Sequence, residues 1–188
     1  MKASRNNNLE IEIKLALPDA EEARRRLRAA GFRVSKRRIF EENTVYDTPA
    51  LALRKAETLL RVRRTGGSAT MTYKGHPLPS KHKKREELET EISSAETMSA
   101  ILDRLGFRRM FRYQKYRVEL RQAAGGGTAT VDETPIGTYV ELEGSPAWID
   151  RTARKLGYSE GDYITASYGR LYLDWCKKHH RRPGDMVF

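Results

Sequence analysis

Residues 9 to 15 alternate strictly between Leu or Ile and Glu or Lys, a period of two that a β-strand converts into one apolar and one charged face. The same division recurs along the chain. One parity carries Glu10, Glu12 and Lys14; Arg61 and Arg63; Thr70, Thr72 and Lys74; Arg85, Glu87, Glu89 and Glu91; Lys115, Arg117 and Glu119; Thr130 and Asp132; Glu141 and Glu143. The other carries Leu9, Ile11 and Ile13; Leu60 and Val62; Met71 and Tyr73; Leu88 and Ile92; Tyr116, Val118 and Leu120; Val131; Val140 and Leu142. Side chains two apart on a strand lie about 7 Å from each other on one face, close enough to share a polyanion or a metal cluster. Two architectures satisfy the pattern: an antiparallel sheet whose charged face meets water, or a sheet closed on itself around a charged tunnel, for which eight strands suffice.

Strands are expected near 9–15, 36–47, 58–65, 68–75, 84–93, 111–121, 127–133 and 137–143, punctuated by Gly66-Gly67, Gly125-Gly126-Gly127 and Pro135-Ile136-Gly137. Pro18-Asp19 opens a helix that runs to about Ala30 and stops at Gly31. Further helices are expected at 95–105, 146–156 and 166–177, where apolar residues recur at helical spacing. Trp148 and Trp175 fall in these helices and read as core. The segment from Gly75 to Ser80 holds Pro77 and Pro79 and reads as an irregular loop, a flap in the functional reading.

At 188 residues the chain suits one domain: a flexible start at 1–7, the strand-rich body at 8–176, and a basic tail at 177–188. Cys176 is the single cysteine, so neither an internal disulfide nor a cysteine-built metal site is available. With no apolar run of membrane length and no secretory segment at the start, the expectation is a cytoplasmic protein without a membrane partner. The net charge of +11 favours anionic partners. Two basic clusters, Arg24 to Arg38 and Lys177 to Arg182, read as solvated surface, the second in a frayed segment. His76, His82, His179 and His180 form no metal-binding spacing and also read as surface.

Strict Glu-x-Glu-x-Lys is a modest signal alone. Its company gives it weight: Tyr46-Asp47-Thr48-Pro49 before Leu60-Arg61-Val62-Arg63-Arg64, then Lys74, Arg85 to Glu91, Lys115 and Arg117, Asp132, and Val140-Glu141-Leu142-Glu143. With these in order over about residues 8 to 174, the sequence resembles the CYTH family of triphosphate tunnel enzymes, which includes class IV adenylyl cyclases, thiamine triphosphatases and inorganic triphosphatases. The resemblance implies an α+β, predominantly antiparallel β fold: a closed eight-stranded β-barrel with helices outside. It implies that Lys14, Arg61, Arg63, Lys74, Arg85, Lys115 and Arg117 face a triphosphate. Glu10, Glu12, Glu89, Asp132, Glu141 and Glu143 become the metal-binding carboxylates, holding Mg²⁺ or Mn²⁺, two ions in all. Glu10, Glu12 and Lys14 would form the catalytic nucleus. Tyr168, in a Ser-Tyr pair that resembles the opening of the family's last helix, reaches toward the tunnel in this reading.

The resemblance leaves more than one reaction. Metal-dependent hydrolysis of an inorganic or organic triphosphate is favoured, because it needs only the triphosphate site. Cyclisation of ATP to cyclic AMP and pyrophosphate is the alternative, supported by the likeness of residues 135–144 to cyclase relatives. Thiamine triphosphate is disfavoured because Val45 stands where animal-type relatives carry a first tyrosine. A non-catalytic module for polyphosphate or RNA 5′ ends is the third reading, disfavoured by the carboxylates, which repel phosphate in the absence of metal. The partners expected are a triphosphate-containing small molecule and a second copy of the chain, with nucleic acid disfavoured.

Overall fold

The computed structural model describes residues 8–188; the start assigned to 1–7 lies outside the described residues. The chain forms β1 (Leu9–Leu17), α1 (Ala20–Ala29), β2 (Phe32–Asp47), α2 (Ala52–Lys55), β3 (Leu59–Thr65), β4 (Ser68–Lys74) and β5 (Lys83–Ile92). It continues through α3 (Ala95–Arg104), β6 (Arg108–Gln122), β7 (Gly127–Thr134), β8 (Gly137–Gly144), α4 (Pro146–Lys155) and α5 (Tyr168–Lys178). The strands close into a barrel in the order β1-β5-β4-β3-β2-β6-β7-β8, with β8 returning to β1. Every neighbouring pair is antiparallel. Closure selects the tunnel over the open sheet.

Local chemistry starts and stops the elements. The Asp19 side chain accepts from the Glu22 backbone N at 2.8 Å, capping α1, and Gly31, at φ +91°, takes the left-handed conformation that ends it. Ser94, Ser145 and Ser167 cap α3, α4 and α5 in the same way. A Cβ on Gly127 would stand 2.5 Å from the Glu143 carbonyl and 2.6 Å from the Trp148 ring, so only glycine lets β7 pass beneath α4.

The apolar faces of the strands point outward under the helices. Ile13, Leu15, Leu120, Val131, Val140 and Leu142 are buried beneath Leu27 of α1 and Trp148, Ile149 and Ala153 of α4. Each such side chain contributes about 1.5–3 kcal/mol by leaving water. A smaller cluster joins Leu102 of α3 to Tyr46, Leu60 and Val62. Trp148 is core as expected, at 5% exposure. Trp175 is only half-buried, stacked between Tyr172 and His179.

Several expectations are corrected. β2 starts at Phe32 rather than 36, because its first half pairs with β6. His82 is not a surface residue: it is buried at 2% exposure, its Nε2 2.8 Å from Asp150 Oδ1 of α4. The end of the chain does not fray. Met186, at 1% exposure, exchanges backbone hydrogen bonds with Arg112 and Gln114 of β6 and packs with Tyr113 and Tyr168. The loop after Gly75 is irregular, yet Leu78 N bonds back to Lys84 O at 2.7 Å. Where β5 leaves β1, Ile164 takes its place, exchanging two 2.9 Å backbone hydrogen bonds with Lys14.

Candidate active site

In an antiparallel ladder, directly opposed residues share a face. The registers Arg85–Glu10, Lys83–Glu12, Glu12–Glu143, Lys14–Glu141, Thr130–Glu141 and Arg117–Asp132 put these side chains on the inner wall. Lys115–Glu41, Tyr113–Asn43, Arg63–Asn43, Arg61–Thr72, Thr72–Glu89 and Lys74–Glu87 complete the circuit. The charged parity of the sequence is therefore the lining of one tunnel.

At β1, Lys14 Nζ lies 3.2 Å from both Glu12 Oε1 and Glu141 Oε1. Glu12 also meets Lys83 at 3.2 Å. Glu10 accepts from Lys74 at 2.5 Å and Arg85 at 3.3 Å. Burial and the neighbouring Glu12 push the Glu10 carboxyl up to about 7, against the pull of Lys74. Burial, Glu12 and Glu87 likewise raise Glu143. Burial works against ionised Glu12 too, but Lys14 and Lys83 outweigh it and hold the group well below the usual carboxylate range. Burial lowers the Lys83 ammonium to about 8, against Glu12.

Across the tunnel, Asp132 is fully buried. Its oxygens accept from Lys115 Nζ at 2.7 Å, from Arg117 Nε and Nη2 at 2.6 Å, and from Tyr168 OH at 2.7 Å. Arg117 also pairs with Glu141. Between these groups and β3, Glu41 lies 3.5 Å from Lys115 and 3.6 Å from Arg63. Its carboxyl is lowered to about 2, since Lys115, Arg117 and Arg63 outweigh its burial. Arg61 donates to Tyr113 OH at 3.3 Å and Thr72 Oγ1 at 3.0 Å.

All seven cations expected to face a triphosphate stand on this wall. The carboxylates divide. Glu10, Glu12, Glu141 and Glu143 gather on β1 and the adjoining β8. Asp132, on β7, shares Arg117 Nη2 with Glu141, and its oxygens accept from four donor atoms. Glu89 lies nearer a mouth of the tunnel, its side chain 41% exposed and bonded to Thr72. Glu87, which shares the parity of Arg85 and Glu89, lies on the wall 3.1 Å from Lys74. Tyr168 reaches the tunnel.

Among the described residues, no three carboxylate, imidazole or thiol groups converge as a ready cation cage. The donor set nonetheless suits a hard divalent cation. Burial, with repulsion from Glu12 and Glu87 behind it, raises Glu10 and Glu143, and a cation among these carboxylates would relieve the repulsion. Unpartnered buried atoms complete the picture. Asn43 Nδ2, Arg61 Nε, Thr70 Oγ1 and Thr130 Oγ1 all sit on the lining without a hydrogen bond, donors that a ligand could satisfy. Such a wall awaits a ligand with many oxygens.

A profile of the CYTH domain matches residues 8–168. The chain belongs to the CYTH family. A Methanocaldococcus jannaschii protein, provisionally named an adenylate cyclase, is 30% identical over 137 residues, covering 73% of this chain and 77% of the relative. Among solved structures, a Pyrococcus horikoshii OT3 protein superposes with a TM-score of 0.74 at 28% identity, covering 88% of this chain and 98% of its own. A Vibrio parahaemolyticus protein shares the fold, with a TM-score of 0.74 at 19% identity over 87% and 97% of the two chains. Among the described residues no helix is long and apolar enough to cross a membrane.

The CYTH tunnel contains four residues beyond the expected set: Glu41, Asn43, Lys83 and Tyr113. Lys83 and Tyr113 share the parity of Arg85 and Lys115: Tyr113 lies within the strand expected at 111–121, and extending the strand expected at 84–93 by one residue reaches Lys83. Glu41 and Asn43 carried no such signal. Glu41-Glu42 puts a carboxylate on both faces of β2, and only the partner register with Arg63 and Lys115 says which one turns inward.

Proposed function

We propose that the protein is a divalent-metal-dependent triphosphatase that hydrolyses a phosphoanhydride bond of a triphosphate held in the tunnel. The observation that carries this reading is the lining itself: a closed ring of lysines and arginines, with buried polar atoms lacking partners, set against a crowd of mutually repelling carboxylates. Arg61, Arg63 and Arg117 would fork non-bridging oxygens, while Lys14, Lys74, Lys115 and Arg85 add charge. A triphosphate carries about four negative charges, and in a restricted site these contacts are stronger than in water. Glu10, Glu12, Glu141 and Glu143, with Glu87 beside them, would hold the metal, which supplies Lewis-acid stabilisation and an activated water when bound. Asp132 acts on the cations, fixing Lys115 and Arg117 at the angle their donors require. As the water oxygen bonds to the terminal phosphorus, the bridging P–O bond breaks and orthophosphate departs. The protein contributes position and fixed charge.

A second reading, cyclisation of ATP, is favoured by the name of the 30% identical relative. A Hippeastrum structure described as an adenylyl cyclase with dominant triphosphatase activity is 20% identical, a likeness of fold only.

The test incubates the protein with Mg²⁺ or Mn²⁺ and, separately, inorganic triphosphate, ATP and thiamine triphosphate. Orthophosphate is the product expected; cyclic AMP with pyrophosphate would give the reaction to cyclisation. The Glu10→Gln, Glu12→Gln double variant should remain folded by circular dichroism and lose metal-dependent turnover by more than about a hundredfold, the loss typical when a group stabilising developing charge is removed. Full activity in that variant removes the metal assignment.

A further inference from the structure

Two ammonium groups, Lys14 and Lys83, stand 3.2 Å from the same oxygen of Glu12. They repel each other, so the backbone beneath them has to fix where they stand. That backbone is divided. Along one edge of β1, Glu12 faces Lys83 of β5, while Lys14 faces Ile164, in the segment that leads from α4 to α5. The two pieces meet in a seam opposite Glu12 and Lys14. Among the described residues, no backbone hydrogen bond joins residues 78–83 to residues 158–165.

The seam is crossed from outside the barrel, by Asp150 of α4. Neighbours in an extended chain face opposite sides, so His82 and Tyr163, which precede Lys83 and Ile164, turn away from the lining. Asp150 Oδ1 lies 2.8 Å from His82 Nε2 and accepts from Tyr163 OH at 3.0 Å, while its Oδ2 lies 2.9 Å from Lys81 Nζ. Burial works against the Asp150 carboxylate, but the hydrogen bonds from Lys81, His82 and Tyr163 outweigh it and hold the group at about 2. An ionised acceptor there places the His82 proton on Nε2. Lys81 reaches on to Glu160, in the same segment as Tyr163, and the His82 and Tyr163 rings lie 5.8 Å apart. One carboxylate thus ties together the residues that stand immediately before Lys83 and Ile164. The phosphate chemistry proposed above makes no use of it.

We infer that Asp150 is a positioning residue for the tunnel: through His82 and Tyr163 it holds Lys83 and Lys14 in place about Glu12. The inference rests on the proposed triphosphate reaction, whose nucleus includes Glu12 and Lys14. A misplacement of about 1 Å at a reacting centre costs on the order of a hundredfold in rate. The phosphate grip of Arg61, Arg63 and Arg117 comes from β3 and β6, which the brace does not touch. Loss of the brace therefore lowers kcat and leaves KM nearly unchanged.

The test measures kcat and KM of the full chain in Mg²⁺ with the triphosphate it turns over best, and amide hydrogen exchange without substrate. Asp150→Asn should lower kcat by about tenfold and move KM by less than about twofold. His82→Leu should match it, whereas His82→Gln, whose amide N–H can reach Asp150, should restore most of the rate. Tyr163→Phe removes a single hydroxyl and guards against a folding artefact. In it and in Asp150→Asn, the Lys14 and Ile164 amides, which bond across to each other, should exchange faster while those of β7 do not. In a Lys83→Gln background, His82→Leu should lower kcat by less than about twofold more, because the residue it acts through is gone. Full kcat in folded Asp150→Asn, a change in KM alone, unaltered exchange at Lys14 and Ile164, or a His82→Leu loss that stays near tenfold beside Lys83→Gln would each overturn the positioning role and leave the triphosphate site standing. If wild type turns over none of inorganic triphosphate, ATP and thiamine triphosphate, the proposed reaction falls and the positioning role with it.

Discussion

Asp132 holds three side chains at once, accepting from Lys115, Arg117 and Tyr168. Replacing it with Asn leaves Lys115 and Arg117 buried with less counter-charge, and breaking a buried pair from one side costs about 3–5 kcal/mol. Asp132→Asn is therefore expected to unfold at lower urea, and inorganic triphosphate, a substitute anion, should stabilise it more than it stabilises wild type. An equal ligand-induced shift in both proteins would count against Asp132 as the organiser of these cations. Glu10 gives a prediction of opposite sign from most carboxylates. Its folded pKa of about 7 stands above the ordinary 4.5, so in that window the folded state holds more protons than the unfolded one. Stability of metal-free protein then falls as pH rises from about 4.5 to 7, and Glu143, also raised, adds to the slope. Glu12, Glu41 and Glu141 are lowered. Their stabilisation is present above the ordinary carboxylate range and is lost on acidification, outside this window. Unfolding midpoints between pH 5 and 7.5 with a chelator should show the decline, which Glu10→Gln flattens; an unchanged slope in the variant would reject the raised carboxyl.

At the scale of elements, Asp47 holds the turn into α2. One oxygen accepts from the Thr48 and Leu53 backbone N–H groups at 2.7 and 2.9 Å, the other from Arg54 at 2.9 Å, and these bonds hold the carboxyl below its usual range despite burial. Asp47→Ala orphans three donors and should lower stability by on the order of 2 kcal/mol in urea unfolding, with early proteolysis near residues 48–56 as its local sign. The motif Tyr46-Asp47-Thr48-Pro49 stands out in the sequence, but its capping role does not, because the partners of a carboxylate are set by backbone geometry. The strands divided similarly. β1, β3, β4, β7 and β8 alternate cleanly, so their lining residues could be read from parity. β2 has charges on consecutive positions and an exposed half, so its contribution waited on register. His82 and Met186 depart from expectation for a common reason: each is buried by a segment far away in sequence, α4 for the one and β6 for the other, and no local pattern announces such a partner.

Taken whole, the molecule separates its charges. Basic and acidic side chains nearly cancel on the tunnel wall, so almost all of the chain's +11 lies outside it. An anionic substrate is then drawn toward a positive exterior before it meets a balanced interior, and kcat/KM should fall as NaCl rises from 0.05 to about 0.5 M, where the Debye length contracts to a few ångströms. A flat salt profile would mean that the outer charge does not steer. The return of β8 to β1 has a further consequence, in time rather than in space. The first strand made carries Glu10, Glu12 and Lys14, but one of its two neighbours spans Gly137–Gly144 and the residue that seals its end is Ile164. During synthesis the pentapeptide must wait, half-paired, for most of the chain to emerge. Contacts so distant in sequence make for slow folding, and any fragment ending before β8 lacks the strand that completes the carboxylate cluster.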